Sequence, residues 1–211
     1  LITGGASGST ITIDLGTLTA TDALLNQIDN LGAQAGVTSI TATINGVTSD
    51  RLEHIKTLTN VSNAAKYKLS YVTSGEITLA QAKDLTDHTN LSTTTSIDFA
   101  GSITGDSTDF YNGSAFTSNF LAVLGKDANP AVKLTNTVED STEVAALNAL
   151  ESGYGSQSGT SGVITATVTG AADTVKSVAV TTQALTFTVS SGTLSLTEVE
   201  SIQGTINANT L

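Results

Sequence analysis

The sequence predicts an α/β fold, a repeating βα solenoid-like array with a mainly parallel sheet covered by helices on one side. Three observations predict it. First, one phrase recurs seven times: an alternating strand, then Gly or a turn, then a capped apolar stretch. Second, apolar residues alternate strictly with Thr in Ile40-Thr41-Ala42-Thr43-Ile44, Ile164-Thr165-Ala166-Thr167-Val168 and Leu185-Thr186-Phe187-Thr188-Val189. A period of two puts every Thr of such a strand on one face, and that face must meet solvent. Third, a sheet enclosed on both sides would carry near-continuous Val, Ile and Leu, which is not the pattern here. A two-layer α/β sandwich is the alternative.

From the N-terminus, the strand candidates are Ile11 to Leu15, Ser39 to Ile44, Tyr67 to Val72, Thr95 to Phe99, Ala131 to Val138, Val163 to Val168 and Leu185 to Val189. Helix candidates lie between them, each with a side chain able to cap its first amides. Thr21 or Asp22 precedes a stripe of Leu24, Leu25, Ile28 and Leu31 at three- and four-residue spacing. Ser49 or Asp50 precedes Leu52, Ile55 and Leu58; Thr78 precedes Leu79, Ala82 and Leu85; Thr117 precedes Phe120, Leu121 and Leu124. Ser141-Thr142-Glu143 opens Val144, Leu147 and Leu150, Thr197-Glu198 opens Val199 and Ile202, and Thr174, Val175 and Val178 form a shorter stretch. Two internal matches point to duplication: Val37 to Val47 with Gly162 to Ala171, and Gly75 to Leu85 with Gly192 to Ile202.

The expectation for the whole chain is a single array over residues 1 to 211, in which Gly153 to Gly162 reads as a loop because strands and helices continue in the same rhythm after it; the alternative is a connector that subdivides the chain near 155. Gly101 to Ala115, rich in Gly, Ser, Asp and Asn, is the expected insertion loop. The first residue is Leu and Met does not occur, so the sequence reads as an excerpt of a longer or processed chain.

Composition excludes several functions. Net charge is −11, with eight Lys and Arg in all, so no basic footprint exists for nucleic acid or an anionic membrane. No apolar run reaches the roughly 18 to 20 residues of a spanning helix, so no membrane insertion is expected. Cys is absent, which removes thiol catalysis, disulfides and thiolate metal sites. Ser and Thr together make up roughly 29% of the chain, a composition that, with the acidity, fits a secreted surface protein.

Chemistry-bearing motifs are few. His54 and His88 stand in no HxxxH, HxH or HExxH arrangement, and both read as surface residues on helices. No GxSxG elbow appears; Gly153-Tyr154-Gly155-Ser156 departs from it. Gly4-Gly5-Ala6-Ser7-Gly8 lacks the Lys-Ser or Lys-Thr of a phosphate loop and the Asp of a calcium-binding nonapeptide, so it reads as a turn. No catalytic residue and no cofactor is therefore expected, and the expected protein is not an enzyme. Asp106 and Asp109, flanking a loop with Tyr111 and Asn112, form the metal candidate: their oxygens could hold calcium outside a cell. Phe110, Tyr111 and Phe116 form a candidate sugar platform, and the paired Thr rows a candidate ice-ordering face interrupted by Lys68, Asp98 and Lys133.

Ile40 to Ile44 (ITATI), Leu52 to Leu58 (LEHIKTL), Tyr67 to Ser70 (YKLS), Ile77 to Leu85 (ITLAQAKDL) and Val144 to Leu150 (VAALNAL) resemble the long Thr- and Ala-rich repeats of giant secreted cell-surface proteins. These are the RTX, S-layer and adhesin-like proteins of marine cyanobacteria and related bacteria, and some cyanophage virion proteins are similar. The resemblance covers most of the chain as a style of repeat and transfers no catalytic residue. It implies export, often by a type I route, and a role in surface layers, adhesion, filaments or motility. The expected function is a non-enzymatic extracellular structural or adhesive repeat protein at the cell surface, partnered by copies of itself or by neighbouring repeats. Terminal strands, Ile11 to Leu15 or the residues after Ala208, would be its joints. The alternatives are a sugar- or ligand-binding module of an adhesin and a phage virion appendage.

Overall fold

A computed structural model describes residues 10–61, 63, 65–87, 96–155, 163–179, 184–202 and 205–206. The chain is α/β with mainly parallel sheets interleaved with helices, and it divides into two compact units, Leu1–Gly101 and Ser102–Leu211. Two sheets replace the single continuous solenoid of the sequence expectation, and the arrangement in each unit is that of a two-layer α/β sandwich.

The first unit runs β1 (Ile11–Thr19), α1 (Asp22–Gly32), β2 (Val37–Val47), α2 (Ser49–Thr57), β3 (Tyr67–Thr73), β4 (Ile77–Thr78), α3 (Leu79–Asp87) and β5 (Ile97–Asp98). Its sheet has the order β1-β2-β3-β5, every pairing parallel. The second unit runs β6 (Ile103–Gly105), α4 (Ser107–Phe110), α5 (Ser118–Leu124), β7 (Val132–Val138), α6 (Ser141–Gly155), β8 (Ile164–Ala171), α7 (Ala172–Lys176), β9 (Ala184–Ser191), α8 (Leu196–Ser201) and β10 (Thr205–Ile206). Its strands β6 to β10 again lie side by side in chain order and parallel.

Chain-order parallel pairing explains the one-sided burial. A doubly wound sheet needs a reversal of strand order to place helices on both faces. Neither run of strands reverses, so crossovers that share one hand set the helices on one face. Accordingly Ile40, Ala42 and Ile44 of β2 are buried while Thr41 and Thr43 keep partial contact with solvent. The same alternation holds for Leu185, Phe187 and Val189 against Thr186 and Thr188 in β9. Each fully buried Ile, Leu or Phe contributes about 1.5–3 kcal/mol by leaving water, which fixes the register: a slip of one residue would expose the whole set.

Helix starts follow the capping residues. Thr21, Thr48, Thr117 and Ser195 accept from the amides of Leu24, Arg51, Phe120 and Glu198. Thr78 and Gln81 bond reciprocally, and Asp140 accepts from Thr142 and Glu143. The duplicated phrases coincide in three dimensions here. Gly75 and Gly192 both take left-handed backbone, φ +73° and +83°, and each is followed three residues on by a cap, Thr78 or Ser195, with Gln81 or Glu198 closing a capping box. The start of α8 is thus Ser195, two residues before the expected Thr197, because Glu198 reaches back to the Ser195 amide at 2.7 Å.

One further expectation changes. Gly101 to Ala115 is not a plain loop: it contains β6 and the single-turn α4, too short and polar to show periodicity. On either side of residue 155, β7 and β8 are parallel neighbours in one sheet, as a loop within the array requires. The connector residues 156–162 lie outside the described residues.

Candidate functional site

Contacts between successive βα units recur at nearly constant sequence separation. In the first unit, Ile13 pairs with Ile40 and Ile40 with Tyr67, each 27 residues on. On the helix layer Arg51 pairs with Asp22, His54 Nε2 lies 3.1 Å from Asn26 Oδ1, and Lys56 donates to Asp84 at 2.8 Å. In the second unit Asn136 Oδ1 accepts from the Ser107 amide at 2.9 Å, 29 residues away. These ion pairs are largely exposed, so solvent screens them and each adds little to stability.

Two side-chain clamps join them, one buried at Asp29 and one half-buried at Asn148. Asp29, the eighth residue of α1, is 9% exposed and accepts from the amides of Asn60 and Val61 at 2.7 and 2.9 Å and from Asn60 Nδ2 at 3.1 Å. Asn148, the eighth residue of α6, accepts from the Ala179 amide at 2.9 Å and donates to the Ser177 carbonyl at 3.0 Å. In both units a polar side chain at the same helical position holds a loop amide 31 residues downstream. Around the first clamp, the Tyr67 hydroxyl donates to the Ile28 and Asp29 carbonyls, and Lys66 Nζ donates to that of Gly32. These groups satisfy carbonyls at the end of α1 and set a cation against its negative pole. Gly32 must lack a side chain because a Cβ there would overlap the Tyr67 ring. Burial pushes the Tyr67 hydroxyl up to about 12.

The clamps were not anticipated from the sequence, although a signal existed. Helix α1 buries Leu25, Ile28, Asp29 and Gly32, while Leu24 and Leu31 are only half-buried. The apolar stripe is therefore rotated from the one expected, and an Asp at a core-facing helical position was the visible clue.

Strand β1 differs from the strands beside it. Among the described residues it pairs only with β2, and none of its nine residues is buried. Ile11, Ile13, Leu15 and Leu18, on the helix-facing side, are half-buried, whereas Ile40 and Ile44, partners of Ile13 and Leu18, are 0% exposed. Ile11 donates its amide to the Gly36 carbonyl of the β2 side. Successive residues point their main-chain groups to opposite edges, so Thr12 and Asp14 present theirs to the unpaired edge. A bulge follows, with Gly16 at φ +62° and its amide donated to Asp14 Oδ1.

The residues singled out from the sequence are placed as follows. Asp109 Oδ2 accepts from the Asp106 amide at 2.8 Å, and Asp106 Oδ1 accepts from the Thr135 hydroxyl at 2.5 Å, so both carboxylates of the calcium candidate hold the start of α4. No third acidic residue or His joins them: among the described residues no group of three or more His, Cys, Asp or Glu could hold a metal. Phe110 is buried, and Phe110, Phe120, Phe116 and Tyr111 pack edge-on at centroid distances of 5.1 to 6.1 Å. Of the expected sugar platform, Phe110 is thus withdrawn into an edge-on aromatic cluster, while Tyr111 and Phe116 stay half-exposed. His88, Gly4 to Gly8, Ser156 and the residues after Ala208 lie outside the described residues. The Thr row of the first unit breaks where Thr41 meets Lys68, whereas in the second Thr137, Thr167, Thr186 and Thr205 lie in register across four strands.

Glu198 joins the last two helices of the second unit. Its carboxylate accepts from the Ser195 amide and lies 3.2 Å from Lys176 Nζ. The Ser195 amide and hydroxyl, then Lys176, hold its pKa down to about 2. Among the described residues no helix is long and apolar enough to cross a membrane. No family model, curated protein or solved structure matches the chain.

Proposed function

We propose that the chain is a non-enzymatic structural or adhesive repeat protein of an extracellular surface layer or filament, self-associating through terminal strands. The observation that carries this reading is the side-by-side order of βα units along the chain, with β1 pairing among the described residues only with β2. Stacked units supply length, and an edge strand with unpaired main-chain groups supplies a joint. Extracellular placement is supported by the acidic, Cys-free, Thr-rich composition.

Negative-stain electron microscopy tests the reading on the full chain and on a form lacking residues 1–15, with circular dichroism establishing that both fold. Regular linear assemblies of the full chain, reduced to isolated particles by the deletion, are the expected result. Isolated particles from the full chain that saturate on a glycan array would overturn it in favour of a ligand-binding module.

A further inference from the structure

Two incomplete surfaces of opposite kind lie on this chain, one at the front of its first βα unit and one at the back of its last. At the front, Ile11, Ile13, Leu15 and Leu18 of β1 and Leu24 and Leu31 of α1 are half-exposed, although the equivalent β2 positions are sealed between neighbours. At the back, the duplicated phrase provides an internal control. Leu79 and Leu196 occupy the same place after a left-handed Gly and a capping residue, yet Leu79 is 5% exposed and Leu196 is 74% exposed. Helix α8 buries none of its residues, and β10 pairs with β9.

We infer that the β1–α1 front receives the α8–β10 back of a second copy of this chain, by parallel strand addition. The occupant follows from the interfaces already present. In β1–β2, β2–β3 and β8–β9 the back of one strand always takes the front of the next, parallel and with helices on one face. The edge of β1 that has no partner among the described residues is a front, so its complement is a back, and front-to-front pairing would be antiparallel. Such a contact is heterologous: each copy retains one unused surface of each kind, and association propagates as a ring or filament instead of stopping at two. This inference rests on the self-associating reading proposed above and specifies its polarity.

Because the chain has no Cys, single cysteines report contacts without background. Leu24→Cys and Leu196→Cys proteins, mixed and oxidised, are expected to cross-link to one another, while neither alone gives a disulfide dimer. Thr12→Pro removes an amide aimed at the free edge without touching β2, and Pro is tolerated there. It is expected to raise the concentration at which assembly begins by about five- to tenfold with an unchanged melting temperature. Assemblies that form but link Leu24→Cys to itself, or that ignore Thr12→Pro, overturn the polarity and leave the scaffold reading standing. A chain that never assembles and gives no cross-link in any combination removes both.

Discussion

Asp29 sits on the buried side of α1 with three hydrogen bonds converging on its carboxylate. Asp29→Ala leaves the Asn60 and Val61 amides without that acceptor in a closed site, so a loss of about 2–4 kcal/mol is expected in urea unfolding. Asn at this position keeps one oxygen acceptor and should recover part of the loss. The neighbouring Tyr67 ties stability to alkaline pH. Its hydroxyl is raised from 10.0 to about 12 by burial, so the folded state favours the neutral phenol. That contribution is complete below about pH 10 and disappears as pH climbs to about 12. Tyr67→Phe should therefore flatten the fall in melting temperature across this window, at the cost of a lower value at neutral pH. Neither residue stood out in the sequence, because Asp in a helix usually faces water and only packing reveals which side of α1 is buried.

At the scale of elements, the strands were the most legible. Thr alternating with Ile, Val or Leu has one physical solution, a half-wet strand, and all seven strand candidates occur, most of them a few residues longer than expected. The short β4, β6 and β10 escaped notice, as two or three residues cannot display a period. Capping chemistry was readable at Thr21, Thr78 and Thr117; it was misplaced by one residue at α2, where Thr48 caps instead of Ser49 or Asp50, by one at α6, where Asp140 caps, and by two at α8, where the Ser195 and Glu198 pair competes with Thr197. The strand-to-helix turn depends on left-handed Gly75, where an added Cβ would meet no atom within 4 Å. Gly75→Ala should accordingly cost about 1–2 kcal/mol through backbone strain alone, measured as a shift of the urea midpoint at constant slope.

For the molecule as a whole, net charge −11 sets copies against one another, and the contact proposed through the half-exposed apolar front must overcome that repulsion. Screening shifts that balance: the Debye length falls from about 30 Å at 0.01 M salt to about 10 Å at 0.1 M. Assembly followed by light scattering should begin at lower protein concentration as salt rises over this range. Binding through charge pairs would give the opposite slope. The periodic pattern alone determined that this chain builds parallel strands with one wet face and capped helices between them, since side-chain direction and capping are local properties of the backbone. Tertiary structure decided that the chain divides at Gly101, that Asp106 and Asp109 hold a helix start, that Phe110 is buried among edge-on aromatic rings, and that Asp29 and Asn148 each fasten a helix to a loop 31 residues downstream within its own unit. Those outcomes depend on which groups from distant parts of the chain meet and exclude water, and no local period encodes that.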